Sequence, residues 1–213
     1  LKYIQKSEET QSLTAWKQIA NDDWQPSWEN FSNPEKLDVH QSLLQEKGFI
    51  CCYCGRQINS DNSHIEHLKP RTNYPELALD YKNMLASCQK DTIRKEPLHC
   101  GKKKDKWYDD NLMVSPLDVN CADYFRYTED GQILAQQSPD KKDAADTTIN
   151  KLGLNIDKLK SLRSDAIDGI LEGFEELTND EKQKLFLSFS QFNTNGQYEE
   201  FCAAIAYIIK QYI

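Results

Sequence analysis

Two cysteines three positions apart, Cys51 and Cys54, followed at a distance by Cys88 and Cys100, constrain this chain more than any other feature. Tetrahedral zinc takes four thiolate or imidazole ligands, and a Cys-x-x-Cys turn supplies a first pair. Eleven residues separate Cys88 from Cys100, so Cys52 or His99 could replace one ligand. Four buried thiols without a metal is the competing reading. A site closed by four protein ligands has no open position for water, which makes this zinc structural. Seven cysteines is an odd number. With metal spacing in the leading pair, it fits a reducing cytoplasm better than a disulfide framework.

Between the two cysteine pairs lies His64-Ile65-Glu66-His67-Leu68, a strand-like run stopped by Pro70. Alternation puts His64 and Glu66 on one face and His67 on the other, or at the strand's end. An imidazole with an ordinary pKa of ~6.5 can take a proton from water near neutral pH, which makes His67 a candidate general base. Glu66 offers an oxygen ligand to Mg²⁺ or Mn²⁺, and such an ion stabilises charge on a phosphodiester. Asn83 has the amide to hold the His67 loop. The competing reading is a strand with incidental histidines, and the basic loop that follows weighs against it. Residues 90–107 carry seven basic and three acidic side chains, a local charge of +4 in a chain of net charge −8. Lys102, Lys103, Lys104 and Lys106 are the candidate nucleic-acid contacts. The overall acidity excludes a protein that coats nucleic acid indiscriminately.

The expected fold class is α+β, in three parts. Residues 1–48 read as an N-terminal helical segment in which Trp24, Trp28 and Phe31 pack over the later zinc module. Asn33-Pro34 opens a helix, with Asn33 as cap and Leu37, His40, Gln41 and Leu44 on its inward face. His40 there reads as a packed residue. Residues 49–142 form the zinc-stabilised module, with residues 89–99 as an insert and a hairpin around Asp130-Gly131. Residues 143–213 form a C-terminal helical region with seven basic and twelve acidic side chains. It contains a Thr178–Glu181 capping box and a last amphipathic face of Tyr198, Phe201, Ile205, Ile208 and Tyr212. Its acidity suits a protein contact better than a nucleic-acid one, and simple cover for the core is the equal alternative. No apolar run approaches bilayer length, and the first residues carry no secretory pattern, so no membrane association and a cytoplasmic location are expected.

Cys-x-x-Cys, Glu66-His67-Leu68-x-Pro70, Asn83 and a closing Cys followed by lysines resemble an HNH endonuclease. That resemblance implies a ββα-metal nuclease module with Glu66 as metal ligand, His67 as general base and Asn83 as the orienting residue. The third motif position departs from the pattern. Gly101 follows Cys100 where the family carries Asn or His, and His99, then His64, are the candidates to complete the divalent-ion site. The wider set QSLLQEKGFICCYCG, HIEHLKPRTNYPELALDYKNMLASCQ, HCGKKK and VSPLDVNCADYFRYTEDGQI resembles the PtuB-like nuclease of Septu-type and retron anti-phage systems. It implies an effector of antiviral defence restrained until infection. It also implies an SMC/ABC-type ATPase partner and, in retron versions, a reverse transcriptase with its RNA–DNA product. The alternative reading is a zinc-stabilised binding module that docks on the ATPase and cuts nothing.

Overall fold

Strand β1 (Ser63–His67) and strand β2 (Met84–Cys88) pair antiparallel, with Ser63 opposite Cys88 and His67 opposite Met84. The computed structural model describes residues 1–91 and 96–213. The insert expected at 89–99 therefore falls partly outside the described residues. Between the strands, the Asp80 carboxylate accepts from the Lys82 N–H at 2.9 Å and caps the turn that feeds β2. Every residue of β2 is buried, as expected of a strand covered on both sides.

Helix α1 (Gln11–Lys17) packs on helix α2 (Glu35–Glu46), and α2 lies against both strands. The inward face of α2 is Val39, His40, Leu43 and Leu44, while Leu37 is 51% exposed. The expected face was thus turned too far toward Leu37. Asn33 does not cap this helix: Pro34 occupies the cap position with no side-chain bond. His40 is packed, as its place on an apolar face suggested, and its Nε2–H donates to Ser63 Oγ at 2.9 Å. Ser63 in turn donates to the Asn59 carbonyl at 2.5 Å.

Helix α3 (Cys100–Lys104) follows β2 and completes a β–β–α succession. The expected hairpin is present as strands β3 (Phe125–Tyr127) and β4 (Ile133–Ala135). Four helices end the chain: α4 (Pro139–Leu152), α5 (Asp157–Leu171), α6 (Asn179–Ser190) and α7 (Cys202–Ile209). The division drawn at 142/143 falls inside α4. The Thr178–Glu181 capping box is formed at the start of α6. Helix α7 is shorter than its apolar pattern, because Tyr198 lies in the loop before it and Tyr212 beyond its end.

One core links these parts, from Leu13 and Leu44 through Met84 and Phe125 to Leu152 and Ile208. The C-terminal chain returns to the cysteine turn, where Phe201 N–H donates to the Gly55 carbonyl at 2.8 Å. Arg163 of α5 is fully buried and donates to the carbonyls of Gly131 and Leu154. It ties α5 to the hairpin turn from a face the apolar pattern alone would call hydrophobic. Among the described residues, no helix is long and apolar enough to cross a membrane.

Candidate active site

The four predicted cysteines come together. Gly55, at φ +78°, lets the Cys51–Cys54 turn fold back so that its N–H donates to the Cys51 carbonyl at 3.1 Å. Cys88 ends β2 and Cys100 begins α3. All four sulfurs are buried and lie within 4.8 Å of one another, with Cys54 and Cys88 3.8 Å apart. Four sulfurs at about 2.3 Å from a tetrahedral zinc are about 3.8 Å from each other, so the cluster could hold that ion. The surrounding donors suit thiolates. Cys88 N–H points at Cys51 Sγ at 3.4 Å, and Gly101 N–H holds Ser87 Oγ, which lies 3.8 Å from Cys51 Sγ. Burial opposes ionisation of Cys51, yet contacts with the other thiols hold it well below the usual thiol range. Cys52 is buried but stands outside the four.

His99 belongs to this cluster and not to the divalent-ion site proposed for it. Its Nδ1 lies 3.1 Å from Cys100 Sγ and 3.6 Å from Cys88 Sγ. The residue before Cys100 is extended, and its ring follows the cysteine inward, leaving the cleft beside Glu66 without it.

That cleft is bordered by His64, Glu66 and His67 of β1, by Pro70, Arg71 and Thr72 after it, and by Gly101, Lys102, Asp105 and Lys106 of α3 and its exit. Strand alternation brings His64 Nε2 to 3.5 Å from Glu66 Oε2. The other carboxylate oxygen, Oε1, receives the Lys104 ammonium at 3.0 Å and the Tyr53 hydroxyl at 3.3 Å. Burial alone would raise the Glu66 pKa. His64 and Lys104 outweigh it and hold the carboxyl below its ordinary range.

Lys104 was expected among the nucleic-acid contacts, and the structure corrects this. It is buried against Glu66 because it follows Gly101 by three residues on α3 and shares its inward face. Lys103 turns the other way, toward Gly153 at the end of α4. Lys102 and Lys106 border the cleft as expected.

His67 ends β1. Its Nε2 lies 2.9 Å from the Ala78 carbonyl, so Nε2 carries the proton and Nδ1 the lone pair. Burial pushes the imidazole pKa down to about 4, and the ring is neutral at pH 7. Asn83 does not touch this ring; it clamps the loop that carries Ala78. Lys69 N–H donates to Asn83 Oδ1 at 2.8 Å, and Asn83 Nδ2 donates to the carbonyls of Lys69 at 2.9 Å and Leu77 at 3.3 Å.

Trp28 was expected to pack over the zinc module, and its contact is with His67 itself. The two rings meet edge to face with centroids 4.5 Å apart. Lys36 and Arg71 lie over the same indole, at 4.4 and 4.7 Å from its centroid. Sequence reading missed Arg71 as a cleft residue. Its signal was only its nearness to Pro70, just past the Glu66-His67 pair.

No family model matches the chain. The chain is similar to a candidate HNH endonuclease of retron Vc95 from Vibrio cholerae serotype O1 biovar El Tor. The two are 29% identical over 147 residues, which covers 67% of this chain and 69% of the relative. That likeness supports the HNH resemblance read from Glu66-His67 and the cysteines.

Proposed function

We propose that this chain is a metal-dependent HNH endonuclease that hydrolyses phosphodiester bonds of nucleic acid. The observation that carries the reading is a neutral imidazole, anchored through Nε2 on the Ala78 carbonyl, beside a carboxylate that presents Oε2 to a basic cleft. His67 Nδ1 receives the proton of the attacking water, and Asn83 keeps the carbonyl-bearing loop in place. Mg²⁺ or Mn²⁺ on Glu66, when bound, supplies positive charge at the phosphate and the leaving oxygen. Arg71, Lys102 and Lys106 line the path of a phosphate backbone. Cys51, Cys54, Cys88 and Cys100 would hold a structural zinc, which would tie the first turn to the end of β2 and the start of α3 and so brace the cleft.

The biological setting follows the same line. The relative's name places it with a retron, which supports an effector of anti-phage defence. Its partners would be an SMC/ABC-type ATPase and, where a retron is present, a reverse transcriptase with its RNA–DNA product. The second reading, a zinc-stabilised docking module, has one specific support in the Lys104 ammonium on Glu66 Oε1. The experiment incubates zinc-loaded protein, alone and with the ATPase, with Mn²⁺ and a panel of DNA and RNA. Cleavage by the wild type and none by His67→Ala, with zinc content and circular dichroism unchanged, is expected. Cleavage that survives the substitution removes His67 from the mechanism. No cleavage in any arm favours the docking module.

A further inference from the structure

We infer that the divalent ion of this cleft is held from a single strand, by Glu66 Oε2 and His64 Nε2, and that Gly101 is bare to leave room for that pair. The inference rests on the cleft being a divalent-ion site, as proposed above, and names its ligands. His64 and Glu66 are two apart on β1, so both side chains leave the same face of the strand. Their nearest atoms are 3.5 Å apart, long for a hydrogen bond between an imidazole and a carboxylate. The separation is shorter than ~4.2 Å, twice a metal–ligand bond of about 2.1 Å, which meets the distance requirement for one ion to touch both. Nδ1 of His64 is buried and has no hydrogen-bond partner among the described residues, so with an ion on Nε2 the ring proton would sit on Nδ1.

The opposite wall points the same way. A Cβ at position 101 would stand 2.5 Å from Glu66 Oε2 and 3.0 Å from His64 Nε2. Glu66 cannot swing aside freely, because Lys104 and Tyr53 hold its Oε1. Lys104 therefore acts as a positioning residue: it reserves Oε1 and leaves Oε2 to the ion. Gly101 and Lys104, three apart on α3, thus serve opposite ends of one carboxylate. His99 is not available for this role, being turned to the cysteines.

The test is Mn²⁺ titration of the full-length, zinc-loaded chain, read by electron spin resonance and by nitrogen modulation of the electron spin echo. Wild type should bind one Mn²⁺ with nitrogen modulation. His64→Gln should lose the modulation and weaken binding by tenfold or more, and His67→Ala should keep both. Gly101→Ala is the independent variant, since it keeps both ligand residues but crowds Glu66 Oε2 and His64 Nε2; it should also weaken Mn²⁺ tenfold or more at unchanged zinc content. Modulation that persists in His64→Gln overturns the ligand assignment while leaving the cleft's ion intact. Wild type that binds no Mn²⁺ overturns the divalent-ion reading of the cleft, and the ligand assignment with it.

Discussion

Replacing Lys104 by Met is the sharpest probe of how this site is built. Its ammonium lies 3.0 Å from Glu66 Oε1 with only 1% of the side chain exposed. At an effective dielectric of ~20, unit charges at that separation attract by roughly 5–6 kcal/mol. Taking both groups out of water cancels much of this, so the pair itself adds little to stability. One-sided removal is different, because it strands a buried charge at a cost of ~3–5 kcal/mol. Tyr53 and His64 remain on the carboxylate, so Lys104→Met should fall near the low end, about 3 kcal/mol. Glu66→Gln strands the ammonium instead and should cost a similar amount. The double variant leaves no buried charge and should cost well below the sum, with a coupling of ~2 kcal/mol or more. Urea unfolding of the zinc-loaded protein, followed by fluorescence of its four tryptophans, measures all three. Additivity to within ~0.5 kcal/mol would refute the ion pair.

Two further outcomes follow from the same contacts. Cys51→Ser or Cys88→Ser should drop bound zinc from one per chain toward none and lower the unfolding midpoint, while Cys52→Ala keeps the metal; mass spectrometry of the purified protein reads the stoichiometry. The effect should be large, since structural zinc contributes ~10–16 kcal/mol in zinc-finger peptides, as much as the whole stability of a domain. Stability should also fall as pH drops from about 6.5 toward 4. Burial pushes His40 down to about 4 in the folded chain, so between the two pH values only the unfolded state takes up that proton. The slope is at most ~1.4 kcal/mol per pH unit for one histidine, and His40→Gln should remove that share in unfolding curves taken across the range.

The parts of this site legible in the sequence are those fixed by local spacing. Cys51 and Cys54 share one turn, and His64 and Glu66 one strand face, so their geometry follows from the backbone alone. His99 and Lys104 were misplaced for the opposite reason. Beside a cysteine and within a run of lysines they look like a spare ligand and a solvated cation. The direction of α3 relative to β1 decides that one meets thiols and the other a carboxylate. Trp28 and His67 are far apart along the chain, and nothing local announces their contact. Gly101 looked like a missing ligand. Its space is filled by the Glu66 carboxylate and the His64 imidazole of β1, which only the three-dimensional approach reveals.

The C-terminal region shows the same dependence on tertiary context, and it changes what a partner contact must look like. Thr148 Oγ1 accepts from Val114 N–H at 2.8 Å and donates to the Leu112 carbonyl at 3.0 Å. Phe201 closes on Gly55 beside the cysteine turn, and Glu200 lies 3.6 Å from Arg56. Removing residues 143–213 would expose the cysteine turn and leave these backbone groups unpaired, so a truncated chain that failed to bind a partner would report only on its own unfolding. The inward half of this region is therefore core, whatever the outward half does. Its excess negative charge sits outside, as at Glu172, Glu175, Glu176 and Asp180, all exposed around the link from α5 to α6. Charges placed there add little to stability, so they can be reversed without disturbing the cleft. A docking role for this region would lie on that outer acidic face, and point reversals there separate partner binding from folding where deletion cannot.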